Sequence, residues 1–321
     1  MGNRLFSLPD ALLCSCAHAT LDDPSGLFVL CRASGTCTQL LAIAEQVAER
    51  RCKGNRRRRL TAMQPWRRVL GYLCGEVKVS QKLIDDTGVV RCVVPMADGR
   101  IATGSTCRFD HSLRVWDVAT GTCQQLKGHT GVVMCVIQLA DGRVVSGSGD
   151  KSLRVWDMAT GRCIQQLNDH TKPVSCVLEL ADRRIVSGSS DNSLRVWDLA
   201  TGRCTQQFTG HTGSVMCVVQ LTNGRIASGS GDNSLRVWDL ATGTCTQEFT
   251  DHTDAVMCVV HLADGRIVSG SGDNTLRIWD MATGNCTQRL AGHTGIVFCV
   301  IQLTDGRILS GSGDKSLRVW W

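Results

Sequence analysis

Six tryptophans, Trp116, Trp156, Trp197, Trp238, Trp279 and Trp320, stand 40 or 41 residues apart. A period of that length marks stacked copies of one supersecondary unit, because a single copy cannot bury its own apolar face. Each tryptophan ends a Ser/Thr-Leu-Arg-Val/Ile-Trp string; Asp follows the first five and Trp321 the last. Ahead of each lies Ser-Gly-Ser, with Thr103-Gly104-Ser105 in the first copy, and further upstream is His-Thr, at 129, 170, 211, 252 and 293. Apolar alternation between Ala-Thr-Gly and Ala-Asp-Gly turn signals predicts four short strands per unit, such as 162–167, 174–180, 184–188 and 193–197. No stretch after residue 76 has a helical period.

The Gly-His, Ser-Gly-Ser-x-Asp and Trp-Asp strings resemble the WD40 family, whose members form β-propellers of four-stranded blades. The resemblance covers residues 76–321 and implies an all-β, six-bladed WD40 propeller; seven is the commoner number in the family. In that family one sequence copy supplies the outer strand of one blade and the three inner strands of the next. Residues 79–83 align with outer strands such as 123–126, so they are expected to complete the last blade and close the ring.

The resemblance also implies a hydrogen-bonded tetrad in each blade. These sets are His129/Ser146/Asp150/Trp156, His170/Ser187/Asp191/Trp197, His211/Ser228/Asp232/Trp238, His252/Ser269/Asp273/Trp279 and His293/Ser310/Asp314/Trp320. An indole N–H donor, a hydroxyl relay, an imidazole and a carboxylate acceptor suit such a chain of bonds. A Ser-His-Asp trio also belongs to nucleophilic catalysis. Five copies of one site favour architecture, and no enzyme activity is expected. The first copy departs, with Asp86 for His, Thr103 for Ser and three extra residues before Asp110, so its blade is expected to be the loosest.

Composition narrows the chemistry. The 321 residues hold 18 cysteines, eleven of them at fixed places in the repeat. One per strand, they lack the paired spacing of zinc sites and read as small packed residues. Cys14, Cys16, His18 and Cys31 are too irregularly spaced to suggest a metal centre, and no metal or cofactor is expected. Residues 1–75 carry a net charge of +6, whereas 76–321 carry none, so no global field steers the repeat region to nucleic acid. The excess sits at Arg50, Arg51, Lys53 and Arg56 to Arg59, which reads as a nuclear import signal, an anion-binding patch or a solvated loop. There is no secretory signal and no apolar run long enough to cross a membrane, so a cytoplasmic or nuclear location is expected.

Residues 1–75 are predicted to be a small helical module with a basic linker. Leu8-Pro9-Asp10-Ala11-Leu12-Leu13, an amphipathic stretch over 38–51, and Trp66-Arg67 give it an order that resembles the F-box, which docks on a Skp1-type adaptor. That likeness makes Leu8, Pro9, Leu12, Leu13 and Leu27 candidate adaptor contacts and implies a cullin partner. Ala11 stands where the F-box usually has Glu.

In WD40 relatives the residue before the recurring inner-strand cysteine faces the central channel on the loop side. Here those residues are Arg91, Met134, Ser175, Met216, Met257 and Phe298, with Arg108 nearby in the extended loop. Apolar side chains at a channel mouth suit an adaptable protein or peptide partner, or partly plug the channel. The expected function is substrate recognition for an SCF-type cullin–RING ubiquitin ligase. The alternative is a general interaction scaffold. Repeats two to six are nearly identical, so specificity is expected in the first blade, at Asp86, Arg91 and residues 106–109.

Overall fold

The computed structural model describes residues 90–105 and 111–321, and the structural statements below concern those residues. They form 23 strands in six antiparallel sheets, five of four strands and a last one of three, each in chain order. The sheets are the blades of a propeller: residues 90–126, 133–167, 174–208, 215–249, 256–291 and 297–320. The strands expected for one repeat are found at Arg162–Leu167, Val174–Glu179, Ile185–Ser189 and Leu194–Asp198, each within a residue of its expected place. The first of these belongs to blade two, so the sequence repeat is offset from the blade by one strand, as the resemblance implied.

Burial explains the composition of each strand. Innermost strands such as Val133–Gln138 are covered on both faces and read as nearly unbroken apolar runs. Outer strands such as Arg162–Leu167 alternate exposed and half-buried residues, and only the terminal leucine is fully inside. Leu153 lies directly across from that Leu167, and Trp156 across from Cys163.

The glycine of each Ser-Gly-Ser has an inter-blade cause. A Cβ on Gly147 would stand 2.6 Å from Cys135 Sγ and 2.8 Å from Val174 Cγ1 of the next blade. The same crowding recurs at Gly104, Gly188, Gly229 and Gly270 against Val133, Val215, Val256 and Val297. The aspartate after each of the first five tryptophans acts locally: Asp157 Oδ1 accepts from the backbone N–H groups of Ala159 and Thr160, and Gly161 takes φ +69° to close that turn.

Neighbouring blades also share hydrogen bonds. Backbone N–H groups of Ala140, Ala181 and Ala263 donate to the side chains of Glu179, Gln220 and Gln302 in the next blade. In blade six, where three strands are described, Leu317 is 36% exposed, while its counterparts Leu113, Leu153, Leu194, Leu235 and Leu276 are fully buried. The closing strand expected at 79–83, the helical module over 1–75 and the blade-one insert lie outside the described residues.

Candidate functional site: the loop face of the propeller

Blades two to six each pin their loop face with the expected tetrad. In blade two, Trp156 Nε1 donates to Ser146 Oγ at 2.8 Å, His129 Nε2 lies 2.7 Å from that same oxygen, and His129 Nδ1 lies 2.8 Å from Asp150 Oδ2. The indole only donates and the carboxylate only accepts. The neutral chain is therefore fixed: the Ser146 hydroxyl donates a hydrogen bond to Nε2, and Nδ1–H donates to Asp150. Asp150 also accepts from the backbone N–H groups of Thr130 and Ser152 and from the Ser152 hydroxyl, which ties two loops together. The arrangement repeats about His170, His211, His252 and His293. Blade one keeps one link, from Trp116 Nε1 to Thr103 Oγ1 at 2.9 Å.

This geometry removes the catalytic option for these trios. Ser146, Ser187, Ser228, Ser269 and Ser310 are sealed from solvent, and each Oγ is already occupied by an indole. The electrostatics fit a structural role. Burial raises the Asp273 carboxyl, but bonds from Thr275, His252 and Thr253 outweigh it and hold the pKa at about 2. Asp150, Asp191, Asp232 and Asp314 are likewise held well below the usual carboxylate range, their hydrogen bonds outweighing burial. Burial lowers His211, His252 and His293 despite the pull of their aspartates. The tetrads of His211, His252 and His293 thus set neutral imidazoles on ionised aspartates at neutral pH.

The eleven repeat cysteines are free thiols. Burial pushes the inner-strand Cys176 thiol up to about 12, so it stays protonated and unreactive. Among the described residues, no group of three or more His, Cys, Asp or Glu side chains gathers as a metal site, and no helix is long and apolar enough to cross a membrane.

The residues before the recurring inner-strand cysteines share a backbone feature that the sequence hides. In blade two Val133 pairs with Ser148 and Cys135 with Gly147, so Met134 is the extra residue of a β-bulge. Arg91, Ser175, Met216, Met257 and Phe298 occupy the same bulge in their blades. A bulge re-aims a side chain without breaking the strand. The bulged side chains are less accessible than an open apolar ring requires. Met134, Ser175, Met257 and Phe298 are buried, whereas Arg91 and Met216 are half-buried. Met257 and Phe298 form a small apolar cluster with Met216 and Ala255, distinct from the blade cores. These side chains are a floor. Arg108 and the candidate adaptor contacts Leu8, Pro9, Leu12, Leu13 and Leu27 lie outside the described residues.

The reachable surface is carried by residues the sequence reading passed over. Two and three places after each tetrad histidine stand Gly131-Val132, Lys172-Pro173, Gly213-Ser214, Asp254-Ala255 and Gly295-Ile296. Ile296 is 37% exposed. The signal was available: copies that agree throughout their tetrads disagree in charge and size at these positions.

Comparison with known proteins agrees with the fold. The family model described as "WD domain, G-beta repeat" matches residues 78–117, 121–157, 161–198, 202–239, 243–280 and 284–320. No curated protein matches the chain significantly. Among solved structures, the crystal structure of the WD40 beta propeller domain of Doa1 is similar, with a TM-score of 0.63 and 24% identity over 72% of this chain and 78% of that one. At that identity the likeness speaks for the fold alone.

Proposed function

The chain belongs to the WD40 family of protein-interaction scaffolds, and from that premise we propose that its loop face holds a protein segment at the channel mouth. One observation carries this reading. The polar groups that repeat are consumed in holding the blades, while the positions that vary among copies lie in the loops that lead into the innermost strands. A rigid frame with variable residues at one mouth is built for recognition. The test is capture of partners by the full chain beside an Ile296→Arg variant. Partners retained equally by both would rule out this face.

The finer form of the proposal is a substrate-recognition subunit of an SCF-type cullin–RING ubiquitin ligase. Its support is the F-box-like order of residues 5–45, beginning at Leu8-Pro9. The mechanism is proximity: a rigid receptor raises the effective concentration of a substrate lysine near the ubiquitin carrier. Co-purification of the full chain with a Skp1-type adaptor, lost on Leu8→Asp with Leu12→Asp, supports it. Absence of adaptor binding leaves a scaffold with no ubiquitin role.

A further inference from the structure

Resting on the loop-face reading, we infer that blades four to six take an extended peptide that carries an apolar side chain beside a lysine or arginine. The apolar group packs on Ile296, and the cation meets Asp254.

The shelf has a floor and an edge. Met257 and Phe298 are buried against each other, Met216 and Ala255 flank them half-buried, and Ile296 stands exposed at the rim. Phe298 reaches close beneath the turn of blade six, where a Cβ on Gly313 would lie 3.2 Å from its Cε2. The loops are pre-set. Gly313 N–H donates to the Ile296 carbonyl at 2.8 Å, and Gly272 N–H to the Ala255 carbonyl at 2.9 Å. Ser271 Oγ donates to the Asp254 carbonyl at 2.7 Å. A partner therefore meets this surface without first having to order it, which lowers the cost of binding.

Charge selects the partner. The loops entering blades four, five and six, residues 209–214, 250–255 and 291–296, contain Asp251 and Asp254 and no lysine or arginine. Asp251 lies 3.8 Å from Arg277. Asp254 is exposed, and its Oδ1 accepts from its neighbour Ala255 N–H at 2.7 Å, which orients the carboxylate and leaves Oδ2 to a partner. The blade-six turn that follows Ser312 carries Lys315. An acidic or phosphorylated segment laid on the shelf would confront Asp254 unpaired, whereas a basic one gains a charge-assisted bond.

The test uses the full chain. A phage-displayed library of random 12-residue peptides is selected against it, and the enriched peptides are measured by fluorescence anisotropy. Enrichment of an apolar residue within two positions of Lys or Arg is expected. Asp254→Lys should weaken these peptides at least tenfold; Asp254→Asn should weaken them less and flatten the salt dependence. Ile296→Arg should also weaken them. Thermal melts close to wild type show that these exposed-site variants fold. Peptides that are acidic, or that ignore Asp254→Lys while losing affinity on Ile296→Arg, overturn the basic–apolar inference and leave the loop face standing. Peptides indifferent to both changes overturn the loop-face reading itself. Failure to enrich any peptide overturns the inference.

Discussion

The backbone N–H of Ala97 in blade one donates to the side-chain Oε1 of Gln138 in blade two across 2.8 Å. The same pairing recurs at later seams, between Ala140 and Glu179, Ala181 and Gln220, and Ala263 and Gln302. Blade one has Pro95 where blade two has Gln138, so it offers no such acceptor to a preceding blade. The clasp makes one blade's loop end depend on the next blade's strand, and it yields the first prediction.

Gln138→Ala should lower stability by about 0.5–1.5 kcal/mol, the net worth of one ordinary hydrogen bond, read as a shift in urea midpoint. Glu179 holds the same position in blade three, and burial raises its carboxyl above the usual range despite the Ala140 N–H and Arg183. Its folded pKa exceeds its unfolded one, so its charge costs stability at neutral pH, and that cost disappears as pH falls to about 4.3. Glu179→Gln should keep the clasp and stabilise the protein at pH 7, with the gain vanishing near that pH. An equal gain at both pH values would contradict the assignment.

Within the tetrads, Ser228→Ala strands the Trp238 indole and one nitrogen of His211, both buried. The expected loss is about 1–3 kcal/mol, the cost of an unsatisfied buried group. Thr103 does the same for Trp116 in blade one, where no described histidine shares it, so Thr103→Val should cost less. Equal losses would mean that the histidine link adds nothing.

Acid should unfold the propeller in two stages. His211, His252 and His293 are lowered chiefly by burial, so the unfolded chain takes up protons that the folded tetrads refuse once pH drops below about 6.5. The depressed aspartates stabilise the fold above about pH 3.9 and add a steeper loss as pH falls below it. Urea midpoints should decline from pH 7 to 5 and then collapse. A flat profile down to pH 5 would show that the folded histidines take up protons freely.

Left-handed backbone gives a stabilising prediction. Lys151 and Lys315 sit at φ +74° and +65° where the other blades have Asn192, Asn233 and Asn274, and Arg183 sits at +71° where most copies of its turn carry Gly. Asparagine and glycine tolerate this region better than a long side chain. Lys151→Asn and Arg183→Gly should each raise stability by up to about 1 kcal/mol. The Arg183–Glu179 pair lost in the second is 3.6 Å apart with the arginine exposed, and such pairs contribute little.

Gly188→Ala should cost about 1–3 kcal/mol, because its methyl group would lie 2.6 Å from both Cys176 Sγ and Val215 Cγ1. Val215→Ala in the same chain should recover part of that loss by opening the space. Two losses that simply add would show that the crowding lies elsewhere.

The sequence by itself determined the six copies of the repeat and the four short strands in each, and the likeness of those copies to WD40 repeats implied the blades and the membership of each tetrad. The strands follow from features that one repeat carries in full: an alternating apolar pattern and turn residues at fixed spacing. Tertiary structure alone decided which of the residues near the recurring cysteines are bulged, buried or exposed. Met134 and Phe298 look alike as apolar residues before a cysteine, yet the sequence holds no sign that each is the extra residue of a bulge, because register belongs to a pair of strands. Nor does local pattern show that Met257 and Phe298 bury one another while Ile296 stays exposed, since those contacts join residues a full repeat apart. The Ser-Gly-Ser glycines are visible in sequence, but their reason is a valine on the next blade. Packing between copies, which no single copy encodes, turned a repeated scaffold into an asymmetric surface.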